Sequence, residues 1–304
     1  MNFKDSLELK VAGIENVLDK YLPKREGYQQ LIMEAMEYSV KAGGKRIRPL
    51  FIKETFSIFG GCNNELVEPF MAAMEMLHTY SLVHDDLPAM DNDEYRRGRK
   101  TTHVVYGEAM GILAGDALLN YAYETAAKAF DVADSLDEYK NTAKALGIFM
   151  KKAGIYGMIG GQVVDVMNEG KAITADELDF IFRLKTGALL EASMMIGAIL
   201  AGGTDEDISV MEQIGNRIGL AFQIQDDVLD VIGNEEVLGK PVLSDEKNNK
   251  TTYVTLFGIE KAKEDVKKYT DEAVFMLNSL KEKNVVSETE FFEEVVNMLV
   301  HRNK

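Results

Sequence analysis

Apolar residues recur at intervals of three and four along most of this 304-residue chain, and that spacing is typical of one face of an α-helix. Only five prolines interrupt the pattern, and the alternating runs bounded by turn dipeptides that indicate β-strands are missing. The sequence therefore predicts an all-α fold without a sheet. The expected helices span residues 7–21, 28–40, 48–59, 67–86, 106–132, 137–152, 175–200, 206–231, 254–280 and 288–301.

Nothing in the sequence divides the chain into separate domains. We find no low-complexity linker, charge block or internal repeat, and the Gly-, Asn- and Lys-rich stretch at residues 233–250 is expected to be a loop between helices. Two helices should begin with capping boxes, Thr174-x-x-Glu177 and Ser287-x-x-Glu290. We expect one domain over residues 1–304.

Charge and composition exclude several classes of protein. The net charge of −16 argues against a nucleic-acid-binding protein, which would carry a basic face. The single cysteine, Cys62, cannot form an internal disulfide and fits a reducing compartment. The first residues lack the pattern of a signal peptide, and the longest apolar run, residues 192–203, is too short to span a membrane. We expect a soluble, cytoplasmic protein.

Three aspartates, Asp85, Asp86 and Asp91, lie at the end of an apolar helical run, and Arg96 and Arg97 follow them. Crowded carboxylates raise one another's pKa, and a hard cation such as Mg²⁺ removes that cost while keeping positions open for a substrate phosphate. Arginine suits the phosphate itself, because its planar fork can bind two oxygens. The cluster indicates diphosphate chemistry, and the alternative is a solvated acidic loop with a compensating basic pair.

A second acidic cluster favours the metal site. Gln223, Asp226 and Asp230 share one face of an otherwise apolar helix, because residues three and four apart are neighbours on a helix. Acids on such a helix would be costly to bury without a partner, so we expect them to point into a wet cavity. Two such clusters are much more specific than one.

Cationic and polar residues supply the other half of the expected site. Taken singly, each lysine is more simply explained as a solvated surface charge, and His78 as a satisfied core residue. Together they form two cationic sets beside two acidic ones, as two diphosphate groups would require. The candidates are Gly44, Lys45, Arg48, His78, Lys185, Lys240 and Lys250.

These motifs resemble those of the trans-type (E) short-chain prenyl diphosphate synthase family. The resemblance extends from Gly43-Gly44-Lys45-Arg46-x-Arg48-Pro49 to Lys250-Thr251-Thr252-Tyr253 and includes Asp85-Asp86-x-x-x-x-Asp91, Arg96-Arg97-Gly98 and Gln223-x-x-Asp226-Asp227-x-x-Asp230. It implies an isoprenoid synthase fold, a single helical bundle around a deep central cavity, and a homodimer. Within the family, the chain is most similar to bacterial members that form farnesyl diphosphate.

The resemblance also implies residue roles. Asp85 and Asp91 would bind two Mg²⁺ ions and Asp226 a third, supported by Asp86 and Asp230, with Mn²⁺ as an alternative metal. Thr186 and Gln223 would line the path of the developing carbocation, together with Lys185. The allylic diphosphate would be held by Arg96, Lys185 and Lys240, with Lys250 closing over it. Isopentenyl diphosphate would be held by Gly44, Lys45, Arg48, His78 and Arg97.

Product length should depend on the depth of the cavity. Tyr80 and Ser81 precede Asp85 by five and four residues, which places them about 6–7.5 Å down the helix. By the family's rule, the aromatic Tyr80, with Ser81 beside it and two extra residues in the Asp85–Asp91 motif, implies the fifteen-carbon product, (2E,6E)-farnesyl diphosphate. The alternative for Tyr80 is an ordinary core aromatic.

Other functions remain open at this point. A geranylgeranyl diphosphate synthase has the same chemistry with a deeper pocket, and a class I terpene cyclase would not need the second cationic set. A non-catalytic subunit of a heteromeric synthase tends to lose the metal carboxylates, and both clusters are complete here. The chain departs from the family pattern at Leu243, where glycine is usual, and at Asn92, where aspartate is common.

Overall fold

The computed structural model describes residues 2–232 and 251–300. These residues form helices and one short hairpin, with strands β1 (Tyr95–Arg96) and β2 (Arg99–Lys100). The helices are α1 (Phe3–Tyr21), α2 (Gln30–Val40), α3 (Ile47–Ile58), α4 (Asn64–Asp85), α5 (Thr102–Tyr106), α6 (Glu108–Ala127), α7 (Ala129–Val132), α8 (Leu136–Ala153), α9 (Met158–Met167), α10 (Ala175–Ile181), a π-helical segment (Phe182–Gly187), α11 (Ala188–Leu200), α12 (Asp205–Ile232), α13 (Tyr253–Phe257), α14 (Ile259–Glu282) and α15 (Glu290–Val300).

Helix α11 lies at the centre of the fold. Every one of its residues is buried, as expected for a helix that is almost entirely apolar, and its one charged residue, Glu191, pairs with Lys152. It packs against α3, α4, α8 and α12. Helix α4 packs in turn against α6, so the ends of α4 and α12 that carry the acidic clusters are both anchored to this core. No helix in the described ranges is long and apolar enough to cross a membrane.

The predicted helices are confirmed in position, but two of them are broken, and the one expected over residues 175–200 contains the π-helical segment. The helix expected over residues 106–132 becomes α5, α6 and α7, and the helix expected over 254–280 becomes α13 and α14. Gly107 separates α5 from α6 and Gly258 separates α13 from α14, with positive φ values of 89° and 83° that glycine adopts readily. Helices α6 and α7 are separated by Lys128. Helix α9 was not predicted at all.

The expectation of no sheet was wrong at one place, where β1 and β2 pair in antiparallel register. Arg97 and Gly98 form the turn with φ of 53° and 74°, and two left-handed residues are what a type I′ hairpin requires. Sequence patterns missed the hairpin because each strand has only two residues. The turn fixes the direction of Arg96 and Arg97 relative to the end of α4.

One of the two predicted capping boxes is confirmed. The Thr174 hydroxyl accepts from the Glu177 backbone N–H, and the Glu177 carboxylate accepts from the Thr174 N–H. The box at Ser287 was wrong, because Glu288 has a φ of 49° and the helix begins only at Glu290. Glu290 is therefore the first residue of α15 rather than its third.

Candidate active site

The first acidic cluster lies where α4 ends. Asp85 is the last residue of α4, and the chain folds back so that the Asp91 N–H donates to the Asp85 carbonyl at 2.9 Å. Burial raises the pKa of all three carboxyls, Asp85, Asp86 and Asp91, and that of Asp86 reaches about 6. Asp91 also raises the pKa of Asp85 by charge repulsion. A bound cation would lower these pKa values again, so the cluster is suited to hold one.

Arg96 lies beside this cluster. Its Nε donates to Asp86 Oδ1 at 2.6 Å, and Nη2 lies 3.5 Å from Asp93 Oδ2. Asp86 is almost fully buried, whereas the Arg96 side chain keeps 31% of its exposure. The guanidinium therefore remains accessible to an anion while it is anchored to the acidic turn.

Lys185 faces the same acids from the π-helical segment. Its Nζ lies 2.7 Å from Asp165 Oδ2 on α9, and its charge lowers the pKa of both Asp85 and Asp91. A π-helical turn displaces a side chain from ordinary helical register, and such turns are frequent at functional sites. Gly161 permits this arrangement, since a Cβ there would lie 2.2 Å from the Lys185 backbone N.

The second acidic cluster lies in the last turns of α12. Asp226 is half-buried and Asp230 is 3% exposed. Asp227 accepts the Tyr253 N–H at 2.6 Å and so holds the start of α13. Helix α12 packs directly on the π-helical segment, and a Cβ on Gly219 would lie 2.9 Å from Gly187 Cα. The segment that carries Lys185 therefore contacts α12 and directs its charge at the first cluster.

Thr186 and Gln223, the predicted neighbours of the carbocation, are both half-buried and lie on these two packed elements. Gln223 follows Gly219 by one helical turn on α12, and Thr186 directly precedes Gly187 on the π-helical segment. Both residues therefore lie near the contact between α12 and the π-helical segment.

The donor set fits Mg²⁺ that is shared with a substrate. Within residues 2–232 and 251–300, no three His, Cys, Asp or Glu side chains gather closely enough to hold a metal by themselves. Mg²⁺ is commonly bound by one or two carboxylates together with substrate phosphates rather than by an all-protein cage. Asp85 and Asp91 supply hard oxygen ligands. Because burial raises the pKa of both carboxyls, a nearby cation would stabilise their ionised form.

A separate cationic cluster surrounds the start of α3. The Arg48 Nε is buried without a hydrogen-bond partner, and burial lowers the pKa of Arg48 to about 10. Burial and the charges of Arg48 and Arg97 together lower the pKa of His78 well below its usual value, so His78 is neutral near pH 7. An unpaired buried guanidinium N–H is costly, and an anion would satisfy it.

Gly44 and Arg97 are in contact in this cluster. The Arg97 Nη1 donates to the Gly43 carbonyl, and a Cβ on Gly44 would lie 2.5 Å from Nη1 of Arg97. Gly44 also has a φ of 133°, so a side chain there would be strained as well as crowded. Lys45 is exposed beside them.

Arg46 belongs to the same motif but is turned into the protein. It lies in the left-handed region with φ of 51°, and its Nη1 lies 2.7 Å from Glu75 Oε1, with the two side chains only 1% and 2% exposed. Glu15 and the Val40 carbonyl accept its other N–H groups. Arg46 therefore anchors the motif, while Arg48 is left for a ligand.

The candidate residues for product length lie below the first acidic cluster on α4. Tyr80 is 8% exposed, and its ring meets His84 edge to face at 5.3 Å. Burial, Tyr123 and Asp85 raise the pKa of Tyr80 in that order. The Ser81 hydroxyl donates to the His78 carbonyl at 2.8 Å. Tyr80 is thus both a core aromatic and a close neighbour of the carboxylates.

Two residues of the site were missed by sequence reasoning, Gln162 and Asp165 on α9. Gln162 Nε2 donates to Asp85 Oδ1 at 2.8 Å, and Asp165 pairs with Lys185. The sequence pattern that could have identified them is Gln162-x-x-Asp165, which follows two glycines. It places two polar residues on one face of an apolar stretch. The predicted ligands Lys240 and Lys250, and the departure at Leu243, lie outside the described residues.

The fold and this arrangement of acids and cations define a class of protein, the all-α prenyltransferases. Comparison with known sequences then shows the family. Residues 29–290 match the profile of the family described as Polyprenyl synthetase, and the chain belongs to that family. The predicted all-α isoprenoid synthase fold and the resemblance drawn from the motifs are both confirmed.

Similar proteins cover most of the chain. A farnesyl diphosphate synthase of Geobacillus stearothermophilus is 43% identical over 264 residues, 87% of each chain. A geranylgeranyl diphosphate synthase of Cyanophora paradoxa is 44% identical over 262 residues, 86% of this chain and 85% of the relative. The crystal structure of a Helicobacter pylori geranyltransferase complexed with magnesium and isoprenyl diphosphate is 30% identical, covers 99% of this chain and 97% of that chain, and has a TM-score of 0.82.

Proposed function

We propose that this prenyltransferase joins isopentenyl diphosphate head-to-tail to dimethylallyl and then geranyl diphosphate, and forms (2E,6E)-farnesyl diphosphate with release of diphosphate. One observation carries the proposal. The chain holds two separate cationic sets, Lys185 and Arg96 beside the acidic turn, and Arg48 with Arg97 and neutral His78 near α3. Two diphosphate substrates require two such sets.

Asp85, Asp91 and Asp226 would hold Mg²⁺ in this reaction, with Asp86 and Asp230 in support. We propose three ions for each site, with Mn²⁺ as an alternative. When bound, the metal would stabilise the negative charge that develops on the departing diphosphate. The raised pKa values of Asp85 and Asp91 support this assignment, because a nearby cation stabilises a carboxylate whose ionisation is disfavoured by burial.

The allylic diphosphate would lie between the acidic turn and Lys185. Lys185 and Arg96 would bind its oxygens as fixed cations, and such preorganised charge is most effective where water is excluded. Thr186 and Gln223 would present oxygen atoms toward the cationic carbon chain. Lys240 and Lys250 complete this set as predictions that lie outside the described residues.

Isopentenyl diphosphate would be held by Arg48, Arg97, Lys45 and the Gly44 backbone. The unpaired Arg48 Nε offers a buried donor to a phosphate oxygen. His78 would take part as a neutral hydrogen-bond donor, since its lowered pKa keeps it uncharged. This set distinguishes a synthase from a cyclase, which binds only one diphosphate.

The product should have fifteen carbons because Tyr80 would close the pocket below Asp85. Its burial and its contact with His84 support a rigid ring at this position. A geranylgeranyl diphosphate synthase is the second candidate, favoured by the 44% identity to the Cyanophora paradoxa enzyme. Product analysis separates the two.

Three further assignments complete the proposal. We take residues 1–304 as one domain and the active protein as a homodimer, which the exposed apolar side chains Ile112 and Leu113 of α6 support, at 42% and 52% exposure. A cytoplasmic location is supported by Cys62, an exposed free thiol.

The test uses the purified full chain with dimethylallyl diphosphate, isopentenyl diphosphate and Mg²⁺. We expect a fifteen-carbon alcohol by gas chromatography after phosphatase treatment, and loss of product when EDTA replaces the metal. Asp91→Asn should lower the rate strongly, whereas Asp137→Asn, at a side chain that is 90% exposed, should not. No carbon–carbon bond formation by the wild-type chain would overturn the proposal. A twenty-carbon product would overturn the fifteen-carbon assignment and the role of Tyr80, and would favour the second candidate.

A further inference from the structure

Gln162 contacts the proposed metal site although it is not a metal ligand. It lies on α9, and its Nε2 donates to Asp85 Oδ1 at 2.8 Å. Helix α9 and the end of α4 are 77 residues apart in the sequence, and this hydrogen bond joins them at the first acidic cluster. The bond occupies one carboxylate oxygen of Asp85 and so restrains the direction of the other.

The chemistry of the pair fixes the orientation of the amide. An ionised carboxylate only accepts hydrogen bonds, so the NH₂ group of Gln162 must face Asp85 and the carbonyl oxygen must face away. That oxygen, Oε1, is buried and has no hydrogen-bond partner in the protein. Buried polar atoms are normally paired, and an exception calls for an unseen donor such as water or a ligand.

The same face of α9 also holds the opposite side of the site. Asp165 follows Gln162 by three residues and pairs with Lys185 at 2.7 Å, so the two side chains are neighbours on the helix. Gly161 packs against the backbone of Lys185. Helix α9 thus contacts the acidic group Asp85 through Gln162 and the cationic group Lys185 through Asp165.

We propose that Gln162 is a positioning residue, which orients the Asp85 carboxylate toward the cation and offers its buried Oε1 to a hydrogen-bond donor in the occupied site. The inference rests on the proposed function, in which α9 already holds Lys185 through Asp165. A simpler alternative is that Gln162 only ties α9 to α4. If Gln162 only ties the helices together, its replacement should lower stability and change all kinetic constants together. If Gln162 positions Asp85, its replacement should weaken the binding of Mg²⁺.

The experiment replaces Gln162 by leucine, which has similar size and no polar atoms. We expect the Mg²⁺ concentration for half-maximal rate to rise by about 10- to 100-fold, the usual effect of losing a partner of a metal ligand. The KM for isopentenyl diphosphate should stay within about twofold of wild type, because its proposed binding residues are on α3, α4 and the hairpin. Gln213→Leu, the same change at an exposed position of α12, is the matched control and should leave both values unchanged.

A second measurement does not depend on turnover. Isothermal titration with a premixed complex of Mg²⁺ and inorganic diphosphate should show weaker binding to Gln162→Leu than to wild type and Gln213→Leu, by a similar factor. If Gln162→Leu does not fold, Gln162→Met keeps the length of the side chain and serves the same comparison.

The outcomes separate the inference from the function on which it rests. An inactive wild-type chain overturns the proposed function. An active wild type whose Gln162 variants keep the same Mg²⁺ dependence and the same titration affinity overturns the inference alone. A fall in melting temperature and in every kinetic constant, without a change in Mg²⁺ dependence, also overturns the inference. In that case Gln162 only joins α9 to α4.

Discussion

Replacing Glu75 by glutamine tests the charge balance beneath the candidate site. The Glu75 carboxylate is buried against Arg46 at 2.7 Å, and its charge also raises the pKa of Arg48 and Arg97, which burial lowers. Glutamine keeps the shape of the side chain and removes the charge. The three guanidinium groups then lose their shared buried counter-charge.

The expected cost follows from the burial of the pair. Removing one partner of a buried ion pair costs about 3–5 kcal/mol, because the other charge is left without compensation. Arg46 retains Glu15, whose side chain is 41% exposed, so we expect the lower end, about 3 kcal/mol. For a chain of this size that corresponds to a fall in melting temperature of roughly 5 °C.

Urea unfolding measures the free-energy change, and Glu54→Gln provides the matched control. The Glu54 side chain is also buried, at 6% exposure, but its partner Lys10 is 39% exposed and can return to water. The control should therefore lose less than about 1 kcal/mol. Equal losses in the two variants would refute the claim that Glu75 has a special role.

A ligand measurement completes the test. Inorganic diphosphate should raise the melting temperature of Glu75→Gln more than that of wild type, because the anion replaces the missing negative charge among the arginines. If diphosphate stabilises the variant less than the wild type, the assignment of Glu75 as the counter-charge of this cluster is refuted.

Three further predictions concern other parts of the site. Gly161→Ala should push the π-helical segment away from α9 and raise the KM for dimethylallyl diphosphate through displacement of Lys185. The control Gly147→Ala, whose added Cβ meets no atom within 4 Å, should leave the kinetics unchanged. Equal KM values for Gly161→Ala and wild type would contradict the close packing at Gly161. Asp86→Asn should be more stable than wild type in EDTA at pH 8 and should lose that advantage as the pH falls to 4. The reason is that burial raises the folded-state pKa of Asp86 to about 6, so the wild type loses stability as the pH rises through that value. A difference in the free energy of unfolding that is the same at all pH values in urea melts would refute this cause. Tyr80→Ala should shift products beyond fifteen carbons in chromatography and Tyr80→Phe should not, and an unchanged product spectrum for the alanine variant would remove Tyr80 as the floor of the pocket.

Much of the fold and part of the site follow from local sequence. The acidic clusters were predictable because their members lie within a few residues of one another in the sequence. In the second cluster, helical spacing alone sets which side chains share a face. The helices at residues 206–231 and 137–152 were predicted to within one residue of α12 and α8 at each end, since their apolar periodicity is uninterrupted. Breaks at Gly107 and Gly258 were missed because a glycine inside a helical pattern does not reveal its φ.

The pairing of charges could not be predicted in the same way. Arg46 and Arg48 are nearly equivalent in the sequence, yet Arg46 is buried against Glu75, 29 residues away, and Arg48 has an unpaired Nε. Gln162 looked like one more polar residue in a glycine-rich stretch until the fold brought it to Asp85. Such choices depend on which helices pack together.

The sequence by itself determined the helical class, the two acidic clusters and the family, because all of these depend on short-range spacing and on residue types. Only the tertiary structure decided which cations remain for a ligand, that Lys185 lies on a π-helical turn facing Asp85 and Asp91, and that α9 supplies Gln162 and Asp165. The physical reason is that burial and counter-charge act over distances in space, whereas a sequence pattern records distances along the chain.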